Sequence, residues 1–67
     1  MLTRVRFYNE EGAHIGTEHF TFGFTTNEVI ERCIVLARVN ETFVTAVRPD
    51  GFSCGMWGPD DHDLIGA

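Results

Sequence analysis

The sequence contains no lysine. All five basic residues are arginines and they face ten aspartates and glutamates, so the 67-residue chain carries a formal net charge of −5. That balance repels nucleic acid and anionic membrane and suits a basic groove on another protein. Long apolar runs are missing as well. Nothing approaches the roughly 18 residues of a membrane-spanning helix, and Met1-Leu2-Thr3-Arg4 leads into an alternating pattern instead of the basic start and apolar stretch of a secretory signal. A cytoplasmic chain is expected, in which Cys33 and Cys54 stay reduced. Cys33 falls in a helical pattern and Cys54 in a strand pattern, which reads each as a small buried hydrophobe.

Reaction signatures are absent too. There is no glycine-rich phosphate loop, nucleophile elbow or zinc-protease helix, and a domain of this size has little concave volume in which cysteine, histidine and paired carboxylates can converge. His14, His19 and His62, with the two cysteines, lack the close pairing of a zinc site. The expectation is a protein that is not an enzyme and uses neither metal nor cofactor.

What the chain does have is apolar material for one core. Hydrophobic residues make up 43% of it and eight are aromatic, six of them Phe, more than a disordered acidic segment carries. Thr3 to Tyr8 alternates, with Val5 and Phe7 on one side and Arg4, Arg6 and Tyr8 on the other, as in a half-buried antiparallel strand. Asn9-Glu10-Glu11-Gly12 supplies a turn. On the return strand Ile15 is out of phase with Phe20, Phe22 and Phe24, and a bulge at Gly16 resets the alternation. The three Phe are expected on one buried face.

Thr25-Thr26-Asn27-Glu28 is a helix start in which Thr25 caps free amides and Glu28 reaches back. Val29, Ile30, Cys33, Ile34 and Ala37 then recur at helical spacing, opposite Glu28, Glu31, Arg32 and Arg38. The helix is expected to end near Arg38, with Asn40 as a left-handed terminator. Glu41 to Arg48 alternates with two largely apolar faces, the pattern of a central strand. Pro49-Asp50-Gly51 is a turn, and Phe52 to Trp57 returns as a shorter strand broken by Gly55. The fold class is therefore α+β, a small two-layer domain with an antiparallel sheet of three or four strands and one helix, in the order strand, strand, helix, strand, strand. Residues 1–58 form that domain and 59–67 an acidic C-terminal tail.

One helix covers one sheet face, so the other lies open, with Arg4, Arg6, Tyr8 and His19 as its candidate residues. Basic residues interleaved with an aromatic can bind single-stranded nucleic acid, but two arginines among ten acids make a poor electrostatic funnel, and both can pair with Glu18 or Glu11 across the hairpin. Glu10, Glu11, Glu28, Glu31, Glu41, Asp50 and the Asp60, Asp61, His62, Asp63 cluster read either as solvated charge that keeps a Phe-rich domain soluble or as a docking surface.

From Glu18 to Pro49 the chain resembles the small RNA polymerase inhibitor encoded by lytic coliphages. The likeness rests on Glu18, on Thr25, Glu28 and Glu31 at the helix start, and on Val44-Thr45 and Val47-Arg48-Pro49. In that family an acid on the strand before the helix and two arginines near the end of the following strand bind the polymerase jaw and block its DNA channel. Glu18 and Arg48 correspond, and Ala46 stands where the other arginine is expected. The broader class that the resemblance implies is that of small acidic inhibitors of host machinery, anti-CRISPR proteins among them.

The expected function is thus a non-enzymatic inhibitor of phage or mobile-element type. It works in the host bacterial cytoplasm, docking on a nucleic-acid-handling protein complex with a basic groove, where its carboxylates can mimic DNA phosphates, and it makes no direct nucleic-acid or membrane contact. Tyr8 and Trp57 are expected as aromatic anchors, Glu18, Glu28, Glu31, Asp60, Asp61 and Asp63 as steering charges, and Arg48 as the contact implied by the resemblance. The alternative is a structural subunit that dimerises through its open sheet face.

Overall fold

The structure, a computed structural model, describes residues 2–61. Strands β1 (Leu2–Asn9) and β2 (His14–Thr21) form a hairpin, helix α1 (Thr26–Asn40) follows, and β3 (Val44–Val47) and β4 (Ser53–Trp57) form a second hairpin. All pairings are antiparallel and the sheet order is β2-β1-β3-β4. The α+β class and the element order expected from the sequence are those observed.

Alternation in β1 and β3 sets the two faces of the sheet. Val5, Phe7, Val44 and Ala46 point to the helix and are buried against Val29, Cys33 and Ala37, which recur every four residues along one helical stripe. Burying Phe7 alone contributes about 1.5–3 kcal/mol. Helix α1 lies over β3 and β4, so a groove opens between it and the β2 edge.

The bulge falls where the phase change in β2 predicts it. Phe7 pairs with Gly16 and Tyr8 with His14, leaving Ile15 as the extra residue. Ile15 therefore packs on the core, while His14, Thr17 and His19 pair with the outward residues Tyr8, Arg6 and Arg4.

Three expectations are corrected. Phe22 is not buried beside Phe20 and Phe24: β2 stops at Thr21, whose carbonyl accepts the Phe24 N–H at 3.2 Å, and Gly23 takes φ +89°. The tight turn projects Phe22 into solvent, 90% exposed. The helix also runs past Arg38 to Asn40, because the Asn40 amide donates to the Leu36 carbonyl at 2.9 Å and prolongs the last turn. Glu41, at φ 52°, is the left-handed residue instead, so the next strand begins only at Val44.

At the other end, Thr25 Oγ1 accepts the Glu28 N–H at 3.3 Å and Glu28 Oε2 accepts the Thr25 N–H at 2.7 Å. This reciprocal cap satisfies two otherwise free amides. Replacing Thr25 by Ala is expected to lower stability by about 1 kcal/mol in urea unfolding, with an unchanged dependence on denaturant; a loss under about 0.3 kcal/mol would show that the cap does not hold this helix in place.

Candidate binding surfaces

The residues singled out in the sequence do not meet at one point. Glu18, Glu28 and Glu31 line the groove between β2 and α1, an open depression of about 440 Å³ floored by Phe20, Phe24 and Val35. Glu18 sits on the helix side because it pairs with the inward Val5, and its Oε2 lies 2.7 Å from Arg32 Nε. That pair is half exposed and contributes about 0–1 kcal/mol, enough to orient both side chains and little more. Glu28 is held by its cap. The groove thus presents fixed carboxylates beside apolar surface, and the Phe22 turn joins Thr21 to Phe24, both part of its wall. Sequence alternation alone extends the strand through Phe22; the signal that it projects was Gly23, one residue on.

Arg48 stands at the end of β3. Its guanidinium carbon lies 4.2 Å over the Phe52 ring, a contact of about 0.5–1 kcal/mol, and its Nε is 3.8 Å from Asp50 Oδ1, an ion pair without a hydrogen bond. Arg48 lines a small apolar notch with Phe24, Val29 and Cys54, separate from the Glu18 groove except for Phe24.

Trp57 pairs with Val44 and packs on the core, with its Nε1 donating to the Cys54 carbonyl at 3.0 Å. Asp61 accepts the Gly58 N–H at 2.5 Å, and Arg38 donates to the carbonyls of Pro59 and Asp61 at 3.3 and 3.0 Å. Residues 59–61, the described part of the expected acidic tail, are therefore tied to the helix end. Asp60 is exposed, and His62 and Asp63 lie outside the described residues.

Tyr8 is on the open face of the sheet, its ring edge-on to His14 at 5.6 Å. Arg4, Arg6 and His19 share that face. Neither arginine pairs with Glu18 or Glu11: the arginines in ion pairs among the described residues are Arg32, with Glu18, and Arg48, with Asp50. Glu18 is drawn away because it occupies the opposite face.

The two cysteines meet across the layers, an arrangement their separate patterns did not reveal. Their sulfur atoms are 4.0 Å apart, Cys33 buried on α1 and Cys54 half-buried on β4. The Cys33 thiol donating to the Cys54 thiolate pushes Cys54 down from its ordinary 9.0 to about 6, against the opposing effect of burial. The same hydrogen bond, with burial, raises Cys33. Among the described residues no group of three His, Cys, Asp or Glu can hold a metal ion, and no helix is long and apolar enough to cross a membrane.

No protein-family model, curated protein or solved structure matches this chain.

Because the thiolate is the reacting form, the alkylation rate of Cys54 by iodoacetamide is expected to rise through about pH 6, while Cys33 resists until the protein unfolds. Peptide mapping by mass spectrometry checks both. Equal labelling of the two, or a rate that climbs only near pH 9, would contradict the paired-thiol arrangement.

Proposed function

We propose that this chain is a non-enzymatic docking protein, an inhibitor or adaptor that engages a nucleic-acid-handling complex through the carboxylate-lined groove between β2 and α1. The observation that carries the reading is Phe22. It is 90% exposed, two of its chain neighbours, Thr21 and Phe24, line a groove that bears Glu18, Glu28 and Glu31 against the one cation Arg32, and an aromatic anchor beside an excess of negative charge is a combination that binds and orients a basic partner surface. Val35 and Val39, also exposed on α1, extend the apolar part of the same side.

The anchoring role passes to Phe22 because Trp57 is engaged with the core and Tyr8 faces the opposite way. Glu28 and Glu31 supply the steering charge, and Glu18 contributes as a pair with Arg32. The resemblance to the phage RNA polymerase inhibitor supports the same class of partner. The alternative, dimerisation through the open sheet face, is opposed by charge: a two-fold contact sets a patch against its own copy, which here would bring Arg4 and Arg6 up to arginines.

Tagged protein applied to nuclease-treated bacterial lysate is expected to capture a nucleic-acid-handling protein in stoichiometric amount and to lose it in high salt. Phe22→Ala is expected to weaken that capture by about thirtyfold, the scale of an interface hot spot of about 2 kcal/mol. Glu28→Gln with Glu31→Gln removes two charges while Gln preserves the helix cap, and is expected to remove much of the salt dependence. Recovery of the protein alone, or capture indifferent to both variants, would overturn the reading.

A further inference from the structure

The sheet face turned away from the helix has a character opposite to that of the whole molecule. Its depressions are lined by Leu2, Arg4, Arg6, Tyr8, His19 and Val47 on one side and by His14 and Thr17 at the hairpin end, with no carboxylate among them. Arg4 and Arg6 have no ion-pair partner among the described residues. They are two residues apart on one strand, hence about 6.6 Å along it, and aim from the same face. Tyr8 continues the row, with the His14 ring against its edge.

Unneutralised guanidinium groups in a row call for an anion that also repeats. We propose that this face binds single-stranded nucleic acid, with Arg4 and Arg6 on neighbouring phosphates and Tyr8 stacked under a base. The site goes beyond the docking groove and does not rest on it.

Three features choose this occupant. A second copy is disfavoured because a two-fold contact sets like charges together. Duplex DNA is read by a helix or ribbon that projects into a groove, whereas this sheet face projects no such element and offers a shallow open depression lined by Leu2 and Val47 beside the arginines. Unpaired bases can enter such a depression and stack on an aromatic ring. An acidic polypeptide repeats carboxylates without a ring attached to each charge, whereas every nucleotide joins a phosphate to a base that Tyr8 can stack on.

The net charge of −5 does not forbid this. The Cα trace spans 17 Å along its shortest axis, about twice the screening length of roughly 8 Å at physiological ionic strength, so at that ionic strength the carboxylates of the helix side are largely screened from a strand on the sheet. Glu10 and Glu11 sit at one hairpin tip, and Asp50, at the other, is paired with Arg48. Charge summed over the whole chain argues against direct nucleic-acid contact. On the folded surface, however, the charges are sorted by face.

The test uses the isolated full chain and fluorescence anisotropy of a labelled 15-nucleotide oligothymidylate, over a salt series from about 20 mM upward. Binding is expected to weaken with salt. Arg4→Gln with Arg6→Gln is expected to lower affinity at least tenfold and to flatten the log–log salt slope by about 1.4, or 0.7 for each phosphate contact on a single strand. Tyr8→Ala is expected to cost at least fivefold, the lower end of base stacking on an aromatic, with the slope unchanged. Circular dichroism confirms that each variant is folded. Phe22→Ala is expected to bind the oligonucleotide normally, which separates this site from the docking groove. No binding anywhere between about 20 mM and physiological salt, binding indifferent to the arginines, equally tight binding of a duplex, displacement by polyglutamate as effective as by unlabelled oligonucleotide, or a dimer that buries the face in sedimentation would each overturn the proposal.

Discussion

A single helix can cover only one side of a sheet, and the rest of this molecule follows from that constraint. Val5, Phe7, Val44 and Ala46 are buried because Val29, Cys33 and Ala37 descend on them. No second helix exists among the described residues to do the same for the reverse side. The described residues suffice for one core. The two strands that are central in the sheet, β1 and β3, therefore differ in chemistry between their faces: apolar toward the helix, and Arg4, Arg6, Tyr8 and Thr45 away from it. Every candidate surface is a consequence of where the helix is or is not.

The helix lies over β3 and β4, and this offset has two effects. It brings Cys33 against Cys54, so that two residues each read as an inert hydrophobe perturb one another. It also leaves the β2 edge uncovered, opening the groove that Glu18 and Arg32 bridge. A helix centred on the sheet would have closed that groove and separated the thiols. The groove and the thiol pair are thus two outcomes of one packing choice.

Local signals were legible in the sequence and non-local ones were not. The Thr25 and Glu28 cap depends on four consecutive residues, and the bulge at Ile15 and Gly16 on a visible break in alternation, so both could be read before the fold was seen. The position of β1 between β2 and β3 depends on pairing Arg6 with Val47, forty-one positions apart, for which no local pattern exists. Phe22 fell between these cases. Its place in a run of alternating Phe argued for a strand, and the glycine after it argued for a turn; the backbone at Gly23, with φ +89°, shows which preference won. Asp61 and Arg38 were read as solvent-facing charges because a residue's role as a tether is invisible until the segment it holds has been placed.

Where local propensity, patterning and packing agree, the fold explains the residue; where they part, something else holds it there. Phe20 and Phe24 satisfy the first condition, with rings 5.2 Å apart packed on the core. Phe22 gains no packing, and the turn tolerates it without calling for it, since the first central position of such a turn favours proline. An exposed Phe costs solubility and returns no burial. Arg4 and Arg6 pose the same question in charge: a strand face in water needs polar side chains, but not two neighbouring arginines with no ion-pair partner among the described residues. Arg4 and Arg6 are absent from the lining of the groove that Thr21 and Phe24 share with Glu18, so one partner surface does not account for both. A two-sided molecule, acidic on the groove that Glu18, Glu28 and Glu31 line and basic where Arg4 and Arg6 stand, is what the two proposals share, and each departure from the folding argument is matched by one of them.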